Sequence, residues 1–413
     1  MRANPVTHTP SGEIGPFMPA AAPTTREHGG DGTAANPTGS PPPARFHGGR
    51  SALLAVALFL CVRVLSLAAL AVRADATGKS PRVLLSERWD SLWYTRVAEH
   101  GYAFTLNAPD GRSLSSMAFF PLLPWLERGT RAVTGLSLPA AGLLVTALAS
   151  VLAAWGVHLV VRHSYGDRAG VLCVVLWAAV PVGIVQSMAY SEALFTALAA
   201  WGLLCVLRER WVTAGVLASL AGLTRPVGLA VTAALFLAVW LRHRPGTGTA
   251  AADRTRAVLG CLVAPLGAAA YILWVGSRRG HLLGYLDVQD EWGNGFDGGW
   301  AFARFLTGGS TALAVLALAA LLLLAYWPHH VGAKQLQPPP LIAYSALVTL
   351  LAIGASGYFG SKPRLLLPAF PLLIPLAVVL ARRRPALTWT ALTALTTASA
   401  VYGAYWLTGS GPP

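Results

Sequence analysis

Residues 51–72 read SALLAVALFLCVRVLSLAALAV, an apolar run of 22 residues in which Arg63 is the only charged side chain. A helix rises about 1.5 Å per residue, so a run of this length can cross a hydrocarbon core of about 30 Å. Because backbone amides inside a bilayer must bond within their own helix, the run predicts a membrane-spanning helix. Further apolar segments cover 138–161, 169–188, 191–207, 212–241, 257–276, 310–327, 341–358, 364–381 and 386–408.

The composition agrees with an all-α, polytopic membrane protein. Only 12% of the 413 residues are charged, against 54% hydrophobic, and the mean hydropathy is +0.55. A soluble domain carries roughly 25% charged residues. The net charge of +14 would suggest nucleic acid as a partner of a soluble protein, but here basic residues in the loops orient the helices. The composition therefore argues against a nucleic-acid-binding role.

Segment 212–241 decides the topology. As one helix it places Arg242 and Arg254 outside, whereas a hairpin broken at Thr224-Arg225-Pro226 returns them to the cytoplasm. Proline and the residue before it favour such a break. The hairpin gives about eleven crossings, with the amino terminus inside and the carboxyl terminus outside. Eleven of the 17 carboxylates then fall on the outer face, where we expect the chemistry.

The rest of the chain divides simply. Residues 1–50 hold nine Pro and eight Gly, a composition that cannot bury enough apolar surface to fold, so we expect a disordered cytoplasmic tail. Residues 51–410 are predicted to form one membrane domain. Its two large extracytoplasmic loops are 74–137 and 277–309.

The first outer loop is too long for a plain connector. Residues 87–100 read ERWDSLWYTRVAEH. Helical spacing predicts one face towards lipid, with Trp89, Leu92, Trp93 and Val97, and another face with Glu87, Asp90 and Tyr94. Tryptophan and tyrosine suit the membrane interface. We expect this helix, and a short apolar element at 117–126, to lie flat at the interface.

Taken alone, Asp90 has two readings. It can cap the helix or pair with Arg88 or Arg96, or it can serve as a catalytic carboxylate held at headgroup depth. Glu192 similarly either stabilises a helix start by its charge or marks a site at a membrane boundary, where an uncompensated carboxylate is costly.

Five short segments resemble the PIG-V family: RWDS at 88–91, AEHGY at 98–102, AFFP at 118–121, AYSEALF at 189–195 and GLTRPVG at 222–228. That family supplies the second mannosyltransferase of GPI-anchor synthesis and belongs to the GT-C glycosyltransferases, which have many spans. The resemblance implies a GT-C fold and a polyprenyl-phosphate sugar donor, usually mannose. It also implies an inverting transfer with Asp90 as the catalytic general base. The acceptor, a lipid or a glycan, is not carried over.

Further site residues follow from charge and position. Arg225, Arg364 and Lys362 are candidates for the donor phosphate, although each can instead anchor a helix end at the interface. Carboxylates, amides and aromatic faces suit sugars, although the loop 277–309 can equally be a solvated loop. The sugar or acceptor candidates are Trp89, Tyr94, Glu99, His100, Tyr102, Glu192, Gln289 and Trp292.

Other chemistry has little support in the sequence. There is no DxD in the first loop and no closely spaced set of His and carboxylates, so we predict no metal ligands and no cofactor, with a Mg or Mn requirement left open. Phosphate-loop and dinucleotide motifs are absent. A transporter or lipid flippase is the alternative, and a non-catalytic scaffold of the envelope is another. If Asp90, Glu192 and Arg225 face one cavity on the outer side of a bacterial plasma membrane, a transferase is favoured.

Overall fold

The fold is built almost entirely from helices. The structure is a computed structural model that describes residues 48–108, 111–244 and 250–411, so the tail predicted for 1–50 lies outside the described residues except for its last three, which begin the first helix. A small hairpin pairs β1 (Thr105–Asn107) antiparallel with β2 (Ser113–Ser115). The helices are α1 Gly48–Asp75, α2 Pro81–Ser86, α3 Asp90–His100, α4 Leu122–Thr134, α5 Leu138–Ala178, α6 Ser191–Leu207, α7 Trp211–Gly222, α8 Leu229–Arg242, α9 Ala251–Val263, α10 Leu266–Arg279, α11 Gly284–Glu291, α12 Trp300–Leu306, α13 Thr311–Lys334, α14 Pro339–Gly354, α15 Lys362–Leu365, α16 Ile374–Ala381 and α17 Pro385–Thr408.

Several of these helices are long and apolar enough to span a membrane. They are α1, α5, the continuous stretch of α9 and α10, and α13. A further span is bent by 76° between Phe359–Leu365 and Phe370–Ala381, and α6, α7, α8 and α14 are shorter apolar helices. The chain is therefore a multi-pass integral membrane protein, as its composition predicted.

Three predicted spans differ from the observed helices. The span predicted at 169–188 ends at Ala178 and continues as an irregular segment with a 3-10 turn at Gly183–Ser187. The span predicted at 341–358 ends at Gly354. The span predicted at 364–381 is broken, because Pro368, Pro371 and Pro375 remove amide donors that a continuous helix needs.

Helix α5 is far too long for one crossing and is interrupted at Gly166. That glycine has φ 84° and ψ 173°, a conformation that a side chain would strain. The backbone of Gly170 lies against His158, although in a straight helix twelve residues would separate the two by about 18 Å. The two halves therefore fold back on each other, as the separate predicted spans 138–161 and 169–188 require.

The predicted break in segment 212–241 is present. Arg225 is extended, with φ −161° and ψ 151°, as expected before Pro226. Arg242 Nε lies 3.0 Å from Glu209 Oε1, so the end of α8 meets the start of α7 and the two helices form a hairpin. At its tip, the Leu122 amide donates to the Leu223 carbonyl over 3.0 Å, which ties the first outer loop to the break.

Two buried cations satisfy carbonyls where helices end early. The Arg63 guanidinium donates to the carbonyls of Ala178 and Gly183, at the end of α5. Lys362 donates to the Ala352 and Ile353 carbonyls over 2.9 and 3.2 Å, and also to Ala355, at the end of α14. Without these cations the carbonyl oxygens would be buried without hydrogen-bond partners. Each such unpaired oxygen would cost free energy.

The two large loops, 74–137 and 277–309, pack on each other through aromatic rings. Trp93 stacks on Phe119 and meets the edge of Trp292, with ring centroids 5.4 and 4.9 Å apart. Phe120 lies 4.4 Å from Tyr271 and is buried.

Two expectations about lipid-facing groups in the first loop are thereby wrong. Trp93 and Val97 pack inside the protein, and so do Phe119 and Phe120 of the element at 117–126. Leu92, from the same predicted face as Trp93, is exposed. Helical periodicity finds the apolar face of a segment, but it does not say whether lipid or another loop covers that face. In this loop, α4 exposes apolar groups, including Trp125 and Val133.

Candidate active site

Four charged side chains from four separate parts of the chain meet in one cluster. They are Asp90 at the start of α3, Glu192 at the start of α6, Arg225 at the tip of the α7–α8 hairpin, and Arg364 in α15. The sequence singled out all four individually. We call them the charged cluster.

The pairing within the charged cluster runs from one residue to the next. Arg364 Nη2 lies 2.7 Å from Asp90 Oδ2, and Arg364 Nε lies 3.8 Å from Glu192 Oε1. Arg225 Nη1 lies 2.8 Å from the same Glu192 oxygen. Asp90 thus pairs with a distant arginine and not with the neighbours Arg88 or Arg96 that its sequence offered. The negative charges of the two carboxylates and the positive charges of the two guanidiniums cancel formally.

Asp90 is positioned by a strained turn. Trp89 just before it has φ 52°, a left-handed conformation that costs a non-glycine residue free energy and that clusters at functional sites. The turn makes Asp90 the first residue of α3, where the helix dipole favours a negative charge. Four residues on, the Tyr94 hydroxyl lies 2.8 Å from the Ser191 hydroxyl, which joins α3 to α6.

The cations of the cluster sit on ordered turns. The segment of Arg364 is held by Lys362 and by Trp177, whose indole N–H donates to the Leu367 carbonyl over 2.9 Å. The guanidinium of Arg364 lies 5.0 Å from the ring centre of Tyr190. Arg225 precedes a proline and is tied to the first loop through the hairpin tip. Neither arginine side chain extends freely into solvent. Neither therefore fits the alternative of an arginine that only anchors a helix end at the membrane interface.

The four side chains of the charged cluster differ in their exposure to solvent. The side chain of Asp90 is 23% exposed, against 15% for Arg225, 9% for Arg364 and 2% for Glu192. A molecule that approaches from the surface therefore meets Asp90 first, with the guanidiniums behind it. Carboxylate in front and cations behind suit a reaction in which a proton leaves one substrate while negative charge develops on another.

The other predicted site residues take different places. Lys362 faces carbonyls and the rings of Phe302 and Phe359, 5.1 and 5.6 Å away. Trp89 adjoins the cluster and stacks under Arg88. Glu99 and His100 pair with each other at 3.4 Å and are exposed. They lie at the far end of α3, roughly 14 Å along its axis from Asp90.

Three more sugar-site candidates support the packing of the outer loops. The Tyr102 hydroxyl donates to the Phe119 carbonyl over 2.8 Å, and burial raises the pKa of that hydroxyl. Trp292 donates to the Ser115 carbonyl over 2.9 Å. The Gln289 amide donates to the Tyr285 hydroxyl over 2.9 Å. The structure does not bring these three into the charged cluster.

Two buried residues escaped the sequence interpretation. Tyr190 is fully buried under Arg364, and its only signal was its place in the AYSEALF segment. Glu127 of α4 is also fully buried, and among the described residues neither of its carboxyl oxygens has a hydrogen-bond partner. Burial raises its pKa well above the usual value. A sequence signal existed, since Glu127 shares the buried face of α4 with Leu123 at i, i+4 spacing.

Within the described ranges, no group of three or more His, Cys, Asp or Glu side chains is arranged to hold a metal ion. The charged cluster contains only two carboxylates, and each faces a guanidinium.

Comparisons with known proteins address the fold. Neither the protein-family models nor the curated protein sequences contain a match to this chain. Among solved structures, the chain is similar to ArnT from Cupriavidus metallidurans bound to undecaprenyl phosphate, with a TM-score of 0.53 and 16% identity over 82% of this chain and 61% of ArnT. It also matches an oligosaccharyltransferase from Archaeoglobus fulgidus, with a TM-score of 0.49 and 14% identity over 86% of this chain and 53% of that one.

The chain spans about three fifths of the length of ArnT. At this identity the likeness concerns the fold, which is the all-α fold of the GT-C membrane glycosyltransferases. The predicted fold class is confirmed. The PIG-V family, the sugar and the site residues stay predictions.

Proposed function

We propose that this protein is a membrane glycosyltransferase that moves a sugar, with mannose the first choice, from a polyprenyl-phosphate donor to a lipid-linked or glycan acceptor. In the proposal the reaction takes place on the outer face of a bacterial plasma membrane. Asp90 takes the proton of the acceptor hydroxyl as that oxygen attacks the anomeric carbon, and the configuration at that carbon inverts. Arg364 and Arg225 stabilise the departing lipid phosphate.

The convergence of the charged cluster carries the proposal. Four residues that are far apart in the sequence meet at ion-pair distances on a GT-C fold. A scaffold has no need of buried ion pairs, which are costly to desolvate. The sugar-site candidates that we retain are Glu192, which belongs to the cluster, and Tyr94, which lies next to it through Ser191. The undecaprenyl phosphate in the ArnT structure supports a polyprenyl-phosphate donor here.

The test is transfer in vitro. Purified protein is mixed with radiolabelled polyprenyl-phosphate mannose and a membrane lipid extract, and label in the product glycolipid is counted. We expect Asp90→Asn to lower the rate by about 10²- to 10⁴-fold, the usual effect of removing a general base, while the protein still folds and inserts. Near-normal transfer by this variant would refute the role of Asp90.

A matched control uses Asp290, an exposed aspartate of the second outer loop. Asp290→Asn removes the same charge away from the charged cluster and should leave the rate unchanged. In sealed vesicles, a soluble sugar that crosses the membrane without entering lipid or glycan would instead favour the transporter. Polyprenyl-phosphate glucose and arabinose, offered in parallel, decide the sugar.

A further inference from the structure

Arg364 is shared between two carboxylates and yet is poorly satisfied. Its Nη2 is engaged with Asp90. Among the described residues, its Nε and Nη1 are buried without a hydrogen-bond partner, although Nε lies 3.8 Å from Glu192 Oε1. A buried guanidinium with unused donors is costly. Such donors mark a place where an additional anion would be stabilised, because a guanidinium presents its N–H groups as a fork that matches phosphate.

The two partners of this ion pair differ in how they are held and in how exposed they are. Arg364 lies between Lys362, which is fixed on the end of α14, and Leu367, whose carbonyl accepts from Trp177. Asp90 begins a loop helix and is the more exposed of the two. An anion must therefore come to Arg364. The Asp90 carboxylate is the group that can give up the pair.

We propose that Arg364 exchanges its ion-pair partner during the transfer, from the Asp90 carboxylate to the lipid phosphate. We call this exchange the handover. The inference rests on the proposed function, and its charges balance. The acceptor O–H gives its proton to Asp90, which becomes neutral, and the acceptor oxygen forms a bond to the anomeric carbon. The bond from that carbon to the phosphate oxygen breaks, and its electron pair stays on the phosphate.

The phosphate thus changes from a singly charged diester to a monoester at the moment when Arg364 loses its carboxylate partner. Proton acceptance and stabilisation of the leaving group are coupled through one guanidinium. The handover requires no movement of the anchored α15 segment. It requires only that the ion pair with Asp90 gives way.

Binding of the leaving group should change the protonation of Asp90 even without turnover. When a lipid monophosphate, the donor's leaving group, occupies Arg364, the nearby Asp90 faces a dianion without its cation and should take up a proton. Titration of the phosphate itself would instead release protons. A phosphomonoester titrates near about pH 6, and pairing with a guanidinium favours its dianion. The charged and titratable groups that interact electrostatically with Asp90 are Arg364, Arg225, Tyr94 and Tyr190. Glu192 shares Arg364 with Asp90.

The experiment is calorimetric titration of the detergent-solubilised protein with undecaprenyl phosphate at pH 7. Two buffers with different ionisation enthalpies are used, so that the number of protons exchanged is obtained. We expect wild type to take up a fraction of a proton, up to about one per phosphate bound. Asp90→Asn should abolish the uptake and tighten binding about tenfold, because Arg364 is no longer occupied. Arg364→Gln should abolish binding.

The matched control is Glu291→Gln. It breaks the pair between Glu291 and Arg279, with Nη1 to Oε1 at 2.6 Å, in the second outer loop, and should change neither value. Inorganic phosphate at the same concentrations should give no binding. Equal binding of inorganic phosphate would overturn the assignment to a lipid phosphate.

The outcomes separate the two proposals. Proton release by wild type, or weaker binding by Asp90→Asn, overturns the handover even if transfer is observed. No binding by wild type also overturns it. Proton-coupled binding without any sugar transfer supports the handover as a property of the site, and contradicts the proposed function instead.

Discussion

The protonation of Glu127 is determined by its burial in the folded protein. It is fully buried on α4 against Gly142 of α5, and burial raises its pKa. The folded state therefore holds a proton there that the unfolded chain releases at lower pH. Stability is greatest below the usual pKa of a glutamate and falls as pH rises towards the folded value, by about 1.4 kcal/mol for each pKa unit of the shift.

We predict that Glu127→Gln raises the unfolding temperature at pH 8 and leaves it nearly unchanged at pH 4.5, because glutamine fills the same space and cannot ionise. Thermal unfolding of the detergent-solubilised protein, followed by tryptophan fluorescence, measures this difference. Glu99→Gln, an exposed position on α3, is the control. A pH-independent effect of Glu127→Gln would show that the carboxyl has a partner or an access route to water.

At the same scale, the sequence supplied candidates but not their pairing. Charge is rare in this chain, so Glu192 and Arg364 stand out at the start of an apolar run and Arg225 stands out because it interrupts one. Asp90 stands out on the aromatic helix predicted in the first large loop. Nothing in the spacing of 90, 192, 225 and 364 says that they meet, since that depends on how four elements pack. Lys362 and Arg364 were indistinguishable as phosphate candidates, yet one faces carbonyls and the other faces carboxylates.

Among the elements, the turn that ends α14 and begins α15 fixes the place of Arg364. Lys362 Nζ donates to three carbonyls there and lies 5.1 and 5.6 Å from the ring centres of Phe302 and Phe359. We predict that Lys362→Met destabilises the protein by about 1–3 kcal/mol, the cost of buried polar groups left without partners. We also expect transfer to fall by up to about 100-fold, because a displacement of about 1 Å at a reacting centre has that effect.

The measurements are thermal unfolding and the transfer assay on the same preparations. Lys334→Met is the control, since Lys334 is exposed in the last turn of α13. Lys362→Arg should recover part of the activity by donating to the same carbonyls. If Lys362→Met unfolds normally but no longer binds undecaprenyl phosphate, Lys362 is a phosphate ligand and not a cap.

Elements were predicted well where composition alone defines them and less well where tertiary contacts do. Most apolar runs became helices near their expected bounds, and Pro226 marked the hairpin break. The sequence did not predict that α5 ends at Ala178. The helix can end there because Arg63, 115 positions away, donates to the carbonyl of Ala178. The apolar face of α3 was seen, but the second outer loop that covers it could not be anticipated from periodicity.

Across the described residues, hydrogen bonds and ion pairs join segments that the predicted topology places on the same side of the membrane. Tyr165, beside the break in α5, donates to the Gln335 carbonyl over 3.2 Å, and Arg168 donates to Arg383 over 2.9 Å. The ends of α7 and α8 meet through Glu209 and Arg242. The charged cluster likewise joins residues that the sequence predicts on the outer side. The eleven-crossing topology stays a prediction.

We therefore predict that single cysteines at His100 and Leu282, both exposed in the outer loops, react with a membrane-impermeant maleimide in intact cells. Cysteines at Thr255 and Lys334, which are also exposed, should react only after the membrane is opened, because basic segments stay on the cytoplasmic side. The parent protein controls for its native cysteines. Labelling of Thr255→Cys in intact cells would place 242–256 outside and contradict the topology, whereas protection of His100→Cys would move the charged cluster to the cytoplasmic face.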